Sequence, residues 1–504
     1  VRGIILLLIL FWLSRLPGLE ALPLHNDEGL HLSRAIEVWN LHPFWEIRDG
    51  KIINHWAIAL FYPRNAPVFA GRIATVFVSM IGLAAGYALV RRRFGVTPAI
   101  LACTLWIASP YLFFFERLAF SDAEAGALVV LALWAGWRLA QHGTIRRAVF
   151  AGFAFGLAAL FKFTAAPFAL GVALIVLLRA RYPLQRRILL LVVVGVTVAA
   201  TFVLPVGYLL LRGDDLFSIA FGWIGGGSGG QMGVGANLNM LAMQLTDFGV
   251  PIWSGLMVAG IVLLVAMRPR TGGLLALAVI VPLATVIVLG REVLPRHYVV
   301  ALPALLLLGG TGLGVAIDGL PLILIEPLIR KEINPLLYRQ RRALLAIVLA
   351  MLAVGFVAFA LQSYTAPEHN RYPQAVWTEH FSQHSAGYGL REAMLALSQT
   401  IQPRSTTVIA SMTADSCRRA NFYAVEGMIL TCADAPGLDA VKAALETQNI
   451  VYVLVEQVTG LRNIVSEAEA LGAEAQQIAE YRRPGGESSQ TVTLWRLERA
   501  EQTG

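Results

Sequence analysis

With 504 residues, 57% of them hydrophobic and only 14% charged, and a mean hydropathy of +0.65, the chain is excluded from the ordinary soluble class, which carries about 25% charged residues. The 40 Lys and Arg against 32 Asp and Glu give a formal charge of +8 and a pI near 9.6. These cations cluster in short loops between apolar runs, which is the orientation signal of a multi-pass membrane protein, so nucleic acid is not an expected partner.

Apolar runs long enough to cross roughly 30 Å of hydrocarbon at 1.5 Å per residue predict about eleven spans. They fall near residues 1–16, 67–90, 97–115, 121–140, 147–163, 164–180, 188–211, 249–267, 272–290, 297–317 and 343–362. Residues 4–16 serve as an uncleaved first span; a cleaved signal is the rival reading, because Leu19-Glu20-Ala21 has small-residue character. Arg91-Arg92-Arg93, the arginines of 138–147, those of 179–187, Arg268 with Arg270, and the run from Arg330-Lys331 to Arg341-Arg342 occupy alternate loops. The positive-inside rule puts those loops and the N-terminus in the cytoplasm, and an odd number of spans puts the tail outside.

The outside set begins with residues 17–66, too long for a simple link between neighbouring helices. It opens on Leu24-His25-Asn26-Asp27-Glu28-Gly29-Leu30-His31, whose acidic pair reads either as a polar collar on a helix end or as chemistry at a membrane surface. Leu30, Ala35, Ile36, Val38 and Trp39 among His31, Arg34 and Glu37 predict an amphipathic helix suited to the headgroup region. Phe44-Trp45, Asn54-His55-Trp56 and Phe61-Tyr62-Pro63 add interfacial aromatics. A second outer link, Glu116-Arg117-Leu118-Ala119-Phe120-Ser121-Asp122, leads into a span that starts with Asp122 and Glu124, where helix capping is the alternative to function. Lys162, at an outer span end, either snorkels or faces a wet cavity. The loop 212–248 carries Gly225-Gly226-Gly227-Ser228-Gly229-Gly230 without a P-loop ending, as either a flap or an ordinary mobile loop. Arg291-Glu292-Val293-Leu294-Pro295-Arg296-His297-Tyr298 places cations on the outer side, against the positive-inside trend.

From Ser363 the pattern becomes that of a small α/β domain acting as lid, scaffold or partner platform. Strands are predicted at 407–410, 450–455 and 490–497, helices at 437–448 and 463–482, and a parallel sheet from their order. Cys103 lies inside a span and is read as inert; Cys417 and Cys432, in an oxidising compartment, are expected to form a disulfide.

Asn26-Asp27-Glu28-Gly29, Arg117-Leu118-Ala119-Phe120-Ser121-Asp122 and Gly156-Leu157-Ala158-Ala159-Leu160-Phe161-Lys162 together resemble motifs of the GT-C membrane glycosyltransferases. Within that superfamily the likeness is to bacterial glycosyltransferase family 39, related to protein O-mannosyltransferases and the lipid A aminoarabinose transferase, over about residues 1–362. Gly50-Lys51-Ile52-Ile53-Asn54-His55-Trp56 is a loose counterpart of the family's Lys-Pro-Pro segment and lacks both prolines. Trp377 and Gly387-Tyr388-Gly389 look like the external domain of some bacterial members. The resemblance implies a plasma-membrane enzyme with a GT-C fold and an extracytoplasmic C-terminal domain from residue 363. It implies transfer of a sugar, by inversion, from a polyprenyl or dolichyl phosphate to a hydroxyl on a protein, lipid or glycan.

In that chemistry Asp27 is the expected base, with Glu28 and Asp122 orienting it, raising its pKa, or holding a divalent cation such as Mg²⁺ or Mn²⁺. Arg117, Lys162, Arg296 and His297 are the candidate donors to the lipid phosphate, and Lys51, His55, Trp56, Tyr62, Arg291 and Tyr298 the candidate substrate lining. A transporter or flippase of lipid-linked sugars and a non-catalytic assembly protein are the rivals; charges at outer span ends, rather than at the midplane, favour catalysis over transport.

Overall fold

In an apolar solvent a spanning backbone must satisfy its own N–H and C=O groups, and the long apolar runs accordingly become helices. The computed structural model describes residues 2–215, 219, 233–290, 293–325, 334–400, 406–433, 438–456, 464–470, 472–485 and 491–499. The first half contains α1 (Arg2–Arg15), α2 (Asn26–Trp39), α3 (Asn54–Ala59), α4 (Pro67–Phe94), α5 (Val96–Ile107), α6 (Pro110–Glu116), α7 (Ser121–His142) and α8 (Ile145–Phe161). There follow α9 (Ala169–Arg179), α10 (Leu184–Leu211), α11 (Val234–Asp247), α12 (Ile252–Met267), α13 (Pro269–Leu289), α14 (Pro295–Tyr298), α15 (Leu302–Ile325) and α16 (Asn334–Thr365).

Among the described residues six helices are long and apolar enough to cross a membrane, and the total reaches eight if two bent pairs each count as one span. Of the eleven expected spans, three fall short: α1 has 14 residues, α8 has 17, and the apolar stretch Phe163–Arg179 is also brief. The bends have local causes. Between α5 and α6, Ser109 caps the new helix by accepting from the Leu112 N–H, with Pro110 at its first position, and the axes turn by 63°. Between α11 and α12 the chain passes Gly249 at φ +62° and Pro251, and turns by 115°. Where α12 meets α15 the backbones touch, since a Cβ on Gly260 would collide with the Gly309 carbonyl; this is small-residue helix packing of the membrane kind.

The chain divides into two compact units, Val1–Leu19 with Arg34–Asn65 and Phe69–Pro373, and Glu20–Ser33 with Ala66–Val68 and Gln374–Gly504. This differs from the simple cut at residue 363. Residues beyond 363 stay with the helical unit because Asn370 Nδ2 donates to the Phe359 carbonyl and to Ser363 Oγ, and the Gly249 N–H donates to the Arg371 carbonyl. More consequentially, the start of the first loop, including Asp27 and Glu28, belongs to the unit of the tail.

The tail contains α17 (Gln374–Trp377), α18 (Leu390–Thr400), β1 (Thr406–Ser411), α19 (Ala414–Asn421), β2 (Met428–Ala433), α20 (Leu438–Thr447), β3 (Ile450–Glu456), α21 (Ile464–Glu469), β4 (Ala473–Arg482) and β5 (Thr491–Arg499). Its sheet has the order β2-β1-β3-β5-β4. Strand alternation sends Val408 and Ala410 to one apolar cluster with Met394 and Leu397, and Ile409 with Val451 and Val453 to another with Val441 and Val465. The expected parallel sheet is half right: β1 is parallel to β2 and β3, whereas β5 runs antiparallel to β3 and β4. The helix expected over 463–482 is corrected as well, since it stops at Glu469, Gly472 turns the chain at φ +89°, and the rest is β4. Ala, Glu and Gln favour a helix there, but pairing with β5 along the strand overrides that preference.

Cys417 on α19 and Cys432 on β2 form a disulfide with Cα atoms 5.9 Å apart, inside the range such a bond tolerates. Closing a loop with a sequence separation of 15 should contribute ~3 kcal/mol in the chain-entropy model. Non-reducing mass mapping should recover the linked peptides, and reduction should lower the unfolding midpoint of the tail; two free thiols in protein isolated without reductant would refute the pairing.

Candidate functional site

Helix α2 begins at the acidic motif because His25 and Glu28 cap it. The His25 Nδ1 accepts from the Asp27 N–H at 3.1 Å, and Glu28 Oε2 reaches back to accept from the His25 N–H at 3.0 Å. Two backbone donors that no helical carbonyl can reach are thereby satisfied, in the reciprocal manner of a capping box. Glu28 is fully buried, and its geometry is that of a cap. Asp27, between them, is only half-buried and carries its carboxylate at the positive end of the helix. With Nδ1 accepting, neutral His25 bears its proton on Nε2, which lies 3.9 Å from Glu379 Oε1.

A second group of charges forms within the helical unit. Helix α8 ends where Lys162 adopts an extended conformation before a 3₁₀ turn, Phe163–Phe168. Its ammonium forms an ion pair with Asp122, in the first turn of α7; both side chains are buried. The chain 50–53 lies along this helix end: the Ile52 and Ile53 N–H groups donate to the Leu160 carbonyl, and the Phe163 N–H donates to the Gly50 carbonyl. That docking brings Lys51 close enough to act electrostatically on Lys162, and Arg296 does so as well. The charges there are mixed: Glu124, also buried, lies close enough to Asp122 to act on it, and Lys51 also pairs with Asp49 at 3.6 Å.

The remaining expected residues divide by their contacts. Arg117, offered as a phosphate donor, is instead buried with its guanidinium on the Pro17 and Gly18 carbonyls and over the rings of Phe113 and Tyr364. His297 accepts the Leu294 N–H at the start of α14, and Tyr298 donates to the Asn237 carbonyl. His55 is buried against the Pro43 carbonyl, and burial pushes its pKa down to about 4, so it is neutral. Trp56 also donates to that carbonyl, and Tyr62, at φ +47°, stacks edge-on against Trp39; both remain partly exposed. Arg291 and the glycine-rich stretch 225–230 lie outside the described residues. Among the described residues no group of three or more His, Cys, Asp or Glu side chains could hold a metal ion, so the geometry lends no support to a cation on Asp27, Glu28 and Asp122.

Reading the sequence missed the buried pair of Arg15 and Glu116. Arg15 donates twice to Glu116 Oε2, at 2.6 and 3.0 Å, while Trp106 donates to Oε1 at 2.7 Å. The available signal was an arginine and a glutamate at the ends of two apolar runs. Arg34 was also passed over as a polar-face residue, although it is buried and gathers the Glu46 and Lys51 carbonyls and the Asp49 carboxylate.

The sequence model of the family described as dolichyl-phosphate-mannose-protein mannosyltransferase matches residues 51–208. No curated protein matches the chain in sequence. Among solved structures, ArnT from Cupriavidus metallidurans bound to undecaprenyl phosphate superposes with a TM-score of 0.61 at 15% identity, covering 98% of this chain and 97% of that one. The apo state of the same protein gives a TM-score of 0.59 at 16% identity with the same coverage. Over nearly its whole length this multi-pass membrane protein therefore has the fold of ArnT, and residues 51–208 within it match the dolichyl-phosphate-mannose-protein mannosyltransferase family.

Proposed function

We propose that the chain transfers a sugar from a polyprenyl phosphate to a hydroxyl acceptor on the extracytoplasmic side of the membrane. The observation that carries this reading is the buried Lys162, paired with Asp122 and acted on by Lys51 and Arg296, cations of the kind that hold a phosphate. A lipid phosphate as its occupant is supported by the fold shared with ArnT, which binds undecaprenyl phosphate. In the reaction the acceptor oxygen attacks the anomeric carbon and the bond from that carbon to the phosphate oxygen breaks. Polyprenyl phosphate leaves, its added charge held by Arg296 and Lys162, while the acceptor's proton passes to the Asp27 carboxylate. Attack opposite the leaving group inverts the anomeric centre.

Asp27→Asn keeps size and hydrogen-bonding capacity but takes up no proton, so turnover should fall ~10²-fold or more while undecaprenyl phosphate still binds. The variant is to be assayed in nanodiscs against a panel of undecaprenyl-phosphate hexoses and pentoses; near wild-type turnover removes Asp27 as the base. Arg296→Ala should instead weaken binding of undecaprenyl phosphate by roughly 10- to 100-fold, the equivalent of one charge-assisted bond. Unchanged affinity would take Arg296 out of the phosphate site. For orientation, Leu41 is 86% exposed in the first loop and Gln141 is exposed at the end of α7, beside Arg146 and Arg147 in sequence. A membrane-impermeant maleimide added from outside should label Leu41→Cys and spare Gln141→Cys; the opposite pattern would reverse the topology.

A further inference from the structure

Residues 20–33 and the tail form one compact unit, and the contacts between them converge on the carbonyl and N–H that precede the acidic helix. The Leu24 N–H donates to Tyr423 Oη at 2.8 Å, and the Leu24 carbonyl accepts from Arg419 Nη1 at 3.3 Å. Arg391 donates to the Ala21 carbonyl at 2.7 Å, and the His25 ring lies 4.9 Å from that of His380. Arg419 is the centre of this clasp. It is fully buried, and its guanidinium also donates to the Ser385 and His384 carbonyls and to Ser416 Oγ. Its stem packs on the acidic motif as well, because a Cβ on Gly29 would come within 2.9 Å of Arg419 Cγ. Gly387, at φ +80°, lies so close to Leu24 that a Cβ would strike the Leu24 carbonyl.

A buried guanidinium with several carbonyl acceptors is expensive to build and is not replaceable by a point charge, since a planar fork must meet fixed acceptors. Arginine is almost never fully buried unless its donors are met. Here the fork joins three segments: the chain before α2, the turn at 384–387 and helix α19. Helix α19 is in turn fastened to β2 by the disulfide two residues before Arg419. A carboxylate that takes a proton in a transition state must be held to within a fraction of an ångström, and a loop alone does not provide that.

We propose that Arg419 is a positioning residue for Asp27: anchored in the C-terminal domain, it fixes the Leu24 carbonyl and so the capped start of the helix that carries the base. This inference rests on the transfer reading for its catalytic consequence, but the clasp itself can be measured without any sugar donor.

The test uses the full chain in nanodiscs with Arg419→Gln, Arg419→Lys and Gly387→Ala, the last leaving Arg419 in place. Amide hydrogen exchange at His25 and Asp27, whose N–H groups donate to the capping side chains, and at Gly29, whose N–H donates to the His25 carbonyl, should rise about tenfold or more in Arg419→Gln, as loss of a charge-assisted bond implies. Val408, Ile409 and Ala410 in the sheet should keep their protection, which separates positioning from a general loss of the tail fold. Turnover should fall by roughly 10- to 100-fold with binding of undecaprenyl phosphate unchanged within about twofold, Arg419→Lys should recover little of the loss, and Gly387→Ala should reproduce it. Unchanged exchange at the three cap amides overturns the clasp; equal loss in the sheet reduces Arg419 to a fold-stabilising residue. Raised cap exchange with unaltered turnover overturns the positioning role. Failure of the transfer reading is distinguishable, because it shows as no turnover by the wild-type chain on any donor of the panel, and failure of Asp27 as the base shows as near wild-type turnover in Asp27→Asn, whatever the exchange result.

Discussion

A charge surrounded by apolar helices must find its counter-charge there, because leaving it alone in a low-dielectric interior costs more than folding can supply. Much of the helical unit is arranged around that constraint. Arg15 and Glu116 sit at the ends of α1 and α6, are both shielded from solvent, and satisfy each other together with the Trp106 indole and the Ile107 carbonyl. Breaking such a pair from one side typically costs ~3 to 5 kcal/mol, so it fixes which helices are neighbours. Arg117, one residue on, answers the same need with two backbone carbonyls and two aromatic faces.

The Asp122–Lys162 pair obeys the same rule within a larger group of charges. Around Glu116 the donors are complete without a ligand: one guanidinium and one indole for two carboxylate oxygens. Lys162 pairs with Asp122 while Lys51 and Arg296 act on it, Lys51 also pairs with Asp49, and the buried Glu124 lies close enough to Asp122 to act on it. Arg117 and Lys162, equally conspicuous in the sequence, therefore differ in their partners: carbonyls and aromatic faces for one, a carboxylate and further charges for the other.

Much of this was legible in the sequence, and the rest was hidden for identifiable reasons. Apolar runs gave the helices, though length alone does not reveal a bend, and Ser109-Pro110 and Gly249 with Pro251 were the breaking signals that went unread. The acidic motif and Lys162 stood out because charge next to an apolar run is rare. Their partners did not, since the ion pair joins residues 40 positions apart and the capping role of Glu28 looks, in sequence, the same as a catalytic one. In the tail, β4 is composed of helix formers, and only its ladder with β5 decides otherwise. Least legible of all was the assignment of residues 20–33 to the tail's unit, which depends on a side chain 395 positions from Leu24.

The acidic motif is fastened by its own cap and a Ser33 bond to the Gly29 carbonyl, and from the tail by Tyr423 and Arg419 at Leu24. The division between the two units falls inside α2, between Ser33 and Arg34, so one helix has its acidic first turns packed with the tail and its last turns packed with the loop that carries Lys51. Arg419 and Arg34 then play parallel parts, each a buried guanidinium gathering main-chain carbonyls on its own side of that division. Carbonyls are offered by every residue, so both fastenings act chiefly on the main chain and place few demands on the side chains around them.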